Sequence, residues 1–214
     1  MFNFDIQGML IRIPALLLAF TVHELFHGLT AYVLGDSTAK NDGRLSLNPI
    51  RHIDLIGFIF ILLFRFGWAK PVMVNLSNLK NPKWDYALIS VAGPLSNIIM
   101  AFIGTMVVFP LVTFGTIAGG GIVAMLLTEF VFINIVLAVF NMLPFPPLDG
   151  SKFFSVWLPD NLYHSFHANF GRVGFLILIV LMITGTTANI IGPIINAIFT
   201  ALIGIANNIY SVML

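Results

Sequence analysis

The chain is expected to fold as an all-α integral membrane protein, a polytopic helix bundle of five to six transmembrane segments with a small membrane-associated β-hairpin or sheet after the first span. Three observations predict this. Of 214 residues, 58% are hydrophobic and only 9% charged, a composition that an ordinary water-soluble domain of this length does not carry on its surface. Mean hydropathy is +0.98. The apolar residues are also gathered into runs near the roughly 20 residues that a helix needs to cross a bilayer.

Five runs reach or approach that length, at 9–34, 86–113, 122–143, 170–187 and 190–212. A sixth, 55–66, would be about 18 Å long as a helix, the range of re-entrant or interfacial pieces rather than spans. Taking it as re-entrant leaves 35–85 on one side of the bilayer. Lys40, Arg44, Arg51, Arg65, Lys70, Lys80, Lys83, Lys152 and Arg172 then share that side, and only Arg12 lies near the other. The positive-inside rule makes the crowded side cytoplasmic and the N-terminus extracytoplasmic.

Within 35–85, Asn41-Asp42-Gly43 is a turn signal, and Leu45 and Leu47 alternate with Arg44, Ser46 and Asn48 as a strand would. Val72 to Asn75, after Pro71, offers a second short strand. The connections at 113–121 and 184–189 are too short for a soluble domain. No repeat or appended module is visible, so 1–214 is expected to be one membrane-embedded domain, with a core in 1–150 and additional helices in 151–214.

Composition also excludes. A net charge of +1 with no basic run argues against nucleic acid. Without cysteine there are no disulfides and no thiolate ligands, so a metal would be held by nitrogen and oxygen. The first apolar run lacks a basic leader and carries ionisable groups, so it is expected to stay in place rather than be removed as a signal peptide.

Those groups are His23-Glu24-Leu25-Phe26-His27. At helical spacing the two histidines lie one above the other on one face and can grip one ion, with Glu24 beside it as general base. With only five histidines and two glutamates in the chain, chance assembly of the pattern is roughly one in a thousand. Three ionisable groups in hydrocarbon are costly unless something such as a metal compensates them. A hydrolytic zinc needs a third ligand and an open position for water. Among the remaining carboxylates Asp149 is the strongest candidate, because Pro144, Pro146 and Pro147 stop the preceding helix and deliver it on an extended segment. His52, His164 and His167 are expected to be structural.

These motifs resemble the site-2 protease family of intramembrane zinc metalloproteases, in its compact prokaryotic form without a PDZ or CBS module. The resemblance rests on the HExxH stretch and on Asn141 to Gly150, which matches NxxPxPxLDG. It is joined by Gly43 to Pro49 with His52-Ile53-Asp54, by Gly67-Trp68-Ala69-Lys70-Pro71-Val72, and by Ala92-Gly93-Pro94-Leu95-Ser96-Asn97. It implies one Zn2+ held by His23, His27 and Asp149, with Glu24 catalytic and Asn97 and Asn141 contacting substrate backbone or the reacting carbonyl; the alternative for each asparagine is to tie helices together. The implied substrates are transmembrane proteins or peptides in a lipid bilayer. Arg44, Leu45, Ser46, Leu47 and Asn48 are expected to offer a strand edge to unwound substrate backbone. His23 lies eleven residues before Leu34, which sets the site roughly 16 Å from the cytoplasmic end of its helix. The competing reading is a metal-binding transporter or channel, since intramembrane His and Asp also mark ion pathways.

Overall fold

The structure, a computed structural model, describes residues 6–64 and 67–212. Arg65 and the side chains of His164, His167 and Arg172 lie outside the described residues. Eight α-helices are present among them: α1 Ile6–Val33, α2 Thr38–Asn41, α3 Leu55–Phe64, α4 Pro82–Thr113, α5 Ile122–Asn141, α6 Asp149–Ser155, α7 Asp160–Ile183 and α8 Thr186–Ser211. Four are long and apolar enough to cross a membrane: Leu10–Val33 within α1, then α4, α5 and α8. In α7 the described apolar stretch is the shorter Val173–Ile183.

Helices α1, α4 and α5 pack against one another, and α8 closes against α4 and α5. Hydrophobicity gives little drive for association in lipid, so close packing depends on small residues that let backbones approach. Ala15 and Ala19 of α1 meet Ile133 of α5, while Ala101 of α4 packs with Val131 and Ile135 of α5 and with Ile191, Ile195 and Leu202 of α8. Gly104 extends the second seam, since a Cβ there would stand 2.8 Å from Val131. Near the other end, Arg12 and Glu129 form an ion pair at 3.2 Å between α1 and α5.

The expected β-hairpin or sheet is not formed. No strand exists among the described residues, and one isolated antiparallel bridge, Ile53 to Ala69, is all that pairs there. The reason is where the backbone donors go. Ser46 N–H turns back to Arg44 O at 2.9 Å, Asn48 N–H to the Ser46 hydroxyl at 3.1 Å, and Ser46 O accepts from the His52 ring at 2.7 Å. In the second candidate strand, Val72 N–H goes to Glu24 Oε2 at 2.8 Å and Asn75 N–H to Asp36 Oδ2 at 2.7 Å. Carboxylate side chains therefore stand where a partner strand would. The Asn41-Asp42-Gly43 signal ends α2 instead of turning a hairpin, with Gly43 at φ +66° and its N–H on Lys40 O.

The chain that follows the short helix α3 folds back along it. Glycines 57 and 67 let the returning chain lie directly against the helix, and Phe60 and Trp68 bring their rings to 5.4 Å. The Ile53 to Ala69 bridge, with Lys70 N–H on His52 O at 2.8 Å, then fixes the exit beside the entrance.

Candidate metal centre

The centre is built on α1. His23 and His27 meet edge to face with ring centroids 4.6 Å apart, and both are buried. Each ring is held by its Nδ1. His27 Nδ1 lies 2.7 Å from Ile89 O, a carbonyl that only accepts, so the proton sits on Nδ1 and Nε2 presents a lone pair.

His23 is fixed by a longer chain. Its Nδ1 lies 2.6 Å from Asn97 Oδ1, and the Asn97 amide is oriented because its Nδ2 donates to Ala19 O at 3.2 Å and to Asn134 Oδ1 at 2.8 Å. Asn134 is oriented in turn by donating to Phe130 O at 2.8 Å. The amide polarity runs one way through three helices, which makes His23 Nδ1 the donor and leaves its Nε2 bare.

The third group arrives on α6. The chain leaves α5 through 142–148, where the Pro146–Pro147 bond is cis, and Asp149 opens the next helix. Gly150 allows this approach, since a Cβ there would stand 2.5 Å from Leu143 O. Asp149 Oδ2 then lies 3.1 Å from both imidazole Nε2 atoms, which are 3.0 Å from each other. Three acceptors facing one another at this distance repel unless a cation sits among them.

The donor set fits zinc, which takes nitrogen and oxygen ligands. Ligand atoms around a tetrahedral zinc with bonds of about 2.0 Å stand roughly 3.3 Å apart, close to the spacing observed. Space is kept by α4, which faces the pair with Gly93: a Cβ there would lie 2.7 Å from His23 Nε2 and nearer still to His27.

The centre opens on a cavity of about 560 Å³ that Glu24 also lines. Glu24 is buried, with Oε2 fixed by the Val72 N–H. Phe20, Ile89, Leu137, Phe140, Phe175 and Leu178 make the cavity largely apolar, and Asn141 and Lys152 are among its polar members.

The other expected site residues divide. Asn141 lines the cavity, with its Nδ2 on Leu137 O at 2.9 Å. Asn97 is fully buried behind His23 and does not line it. None of Arg44, Leu45, Ser46, Leu47 and Asn48 lines it either; the wall on that side is the extended run 67–74. Leu45 and Val72 both lie against Gly28, where an added Cβ would stand 2.9 Å and 3.5 Å from them, and Arg44 donates to Lys70 O. His52 is buried away from the centre, where desolvation holds its ring below the usual histidine range. Sequence reasoning missed Asn134 and Lys152. A signal for Asn134 exists, since it lies seven residues before Asn141 on the same face of a largely apolar helix.

Over 185 residues the chain is 38% identical to YwhC of Bacillus subtilis (strain 168), named as a candidate zinc metalloprotease, covering 85% of this chain and 84% of that one. The chain belongs to peptidase family M50. The M50 family model itself matches residues 112–184, which contain the Asn141 to Gly150 motif. A second candidate zinc metalloprotease, from Methanocaldococcus jannaschii, is 31% identical over 151 residues, 70% of this chain and 72% of that one. Rip2 of Mycolicibacterium smegmatis, likewise named, is 26% identical over 174 residues, 78% and 64% of the two chains. No solved structure matches the chain. Membership of M50 makes this a multi-pass membrane zinc metalloprotease of the site-2 protease family, and it favours peptide hydrolysis over the transporter reading.

Proposed function

We propose that this M50 peptidase hydrolyses peptide bonds within or near the transmembrane segments of membrane proteins, as in regulated intramembrane proteolysis or clearance of signal-peptide remnants. The whole of 1–214 acts as one membrane-embedded peptidase domain, with its core in 1–150. The observation that carries the reading is the buried triangle of His23, His27 and Asp149 acceptor atoms at 3.0–3.1 Å, facing a largely apolar cavity that Glu24 shares.

In this reading His23, His27 and Asp149 hold the zinc and Glu24 is the general base. Zinc, when bound, supplies Lewis acidity toward a water and a peptide carbonyl. Glu24 takes the proton from the attacking water and returns it to the leaving amine. The Val72 N–H keeps one Glu24 oxygen engaged, so the other is the proton acceptor. Asn141 contacts the substrate backbone, and the apolar cavity wall receives the side chains of a membrane segment. A transmembrane helix hides its peptide bonds in internal hydrogen bonds, so the substrate must unwind locally first. The cluster of Lys and Arg outside the spans supports a cell-membrane orientation with the site nearer the cytoplasmic face and the N-terminus outside.

The test compares zinc content and cleavage of a model transmembrane substrate in Glu24→Gln and Asp149→Ala. Glu24→Gln should keep its zinc while turnover falls about 10²–10⁴-fold. Asp149→Ala should lose both. Unchanged zinc occupancy in Asp149→Ala would remove that residue from the ligand set.

A further inference from the structure

Asp149 has a second partner that the metal reading does not use. One turn along α6, Lys152 returns its Nζ to Asp149 Oδ1 at 2.9 Å, while Oδ2 alone faces the two imidazoles at 3.1 Å. The carboxylate is thus divided between an ammonium and the centre. On an exposed helix such a pair would count for little. Here the Asp149 side chain is only 8% accessible, and Lys152, at 29%, reaches it along the cavity wall with Nζ 5.7 Å from the Tyr86 ring centroid.

A carboxylate with both oxygens available closes on a metal through one or two of them. The difference matters in a hydrolytic centre. Two imidazoles and one carboxylate oxygen leave a tetrahedral ion one open position, and a second carboxylate oxygen would compete for the place that water must take.

We propose that Lys152 is a positioning residue that keeps Asp149 a one-oxygen ligand and so reserves the open position. This rests on the His23, His27 and Asp149 ligand set proposed above. Lys152 acts on the acid, not on the reacting atoms. An arginine of similar reach preserves the action, and an uncharged chain of similar bulk abolishes it.

The experiment loads the full chain with cobalt(II) in detergent and reads the visible absorption, whose intensity falls when coordination rises from four to five. Lys152→Met should lower that intensity and reduce kcat at least tenfold, the scale typical of residues that orient a metal ligand. Lys152→Arg should restore the wild-type spectrum. A wild-type spectrum in Lys152→Met would overturn the proposal. If Asp149→Ala itself keeps the wild-type spectrum, the ligand set fails first and the role of Lys152 falls with it.

Discussion

Replacing Gly93 with alanine sets two physical effects of opposite sign against each other. Glycine inside a helix is worth roughly 0.5–1 kcal/mol less than alanine, so at a position with room the change would stabilise α4. Gly93 has no room. The added Cβ would stand 2.6 Å from His27 Cε1 and 2.7 Å from His23 Nε2, against an ordinary contact of 3.4 Å or more. His27 Nε2 would be nearer still, so the rings or the helix must retreat by roughly 0.8 Å or more, while metal sites accept errors of only about 0.2 Å.

Neither ring has slack to give. His27 is tied to Ile89 O on the same helix that carries Gly93, so moving α4 away drags the His27 tether with it. His23 is tied through Asn97, also on α4. We expect Gly93→Ala to fold and insert normally, to bind zinc at least tenfold more weakly, and to cleave a transmembrane substrate about 100-fold more slowly. Chelator competition gives the affinity, and thermal unfolding of the zinc-free protein gives the stability. If Gly93→Ala is stabilised and also keeps wild-type zinc affinity, the cradle argument is wrong and Gly93 serves helix packing alone.

Three other positions carry predictions of the same kind. Asn97→Ala removes the acceptor that fixes the His23 proton on Nδ1, and zinc affinity should fall 10–100-fold; Asn134→Ala, one step further back, should cost less, and chelator competition giving the reverse order would break the proposed direction of the chain. Burial raises the Asp36 carboxyl pKa, but four hydrogen bonds, from Thr38 Oγ1 and N–H, Asn78 Nδ2 and Asn75 N–H, lower it further, so the net shift is downward. A depressed native pKa means that this stabilisation is complete above the unfolded value of about 3.9 and is lost as pH falls through the native one. Asp36→Asn should cost on the order of 1–3 kcal/mol at neutral pH and flatten the acid limb of a thermal-stability profile, an effect that equal acid sensitivity in both proteins would contradict.

Local chemistry is what the sequence exposed. His23 and His27 lie one helical turn apart, so their common face follows from a spacing of four residues alone, with Glu24 beside it. The five-residue motif therefore reads directly. Asp149 lies 126 positions from His23, and its convergence came from the proline-rich delivery and from family resemblance rather than from any periodicity. The role of Asn97 was obscured for a related reason. A polar side chain at membrane depth must be satisfied, but whether by substrate or by another helix depends on packing between α1, α4 and α5.

The failed sheet has a more specific cause. Residues 44–48 do alternate, yet period two identifies a strand only if the backbone groups also find a ladder. Pro49 follows the first candidate directly and Pro71 precedes the second, so each borders a residue with no N–H to give. The donors that remained were claimed by side chains far along the sequence: Glu24 lies 48 positions from Val72, and Asp36 lies 39 from Asn75. Those two bonds replace a strand pairing and also do something a sheet would not. One fixes an oxygen of the candidate general base, the other pins the far end of the cavity wall. A ladder between 44–48 and 72–75 would have satisfied the Val72 N–H on a neighbouring strand, leaving a Glu24 oxygen to find another donor inside the membrane. The absence of a strand at 72–75 and the ordering of Glu24 thus share one hydrogen bond, from the Val72 N–H.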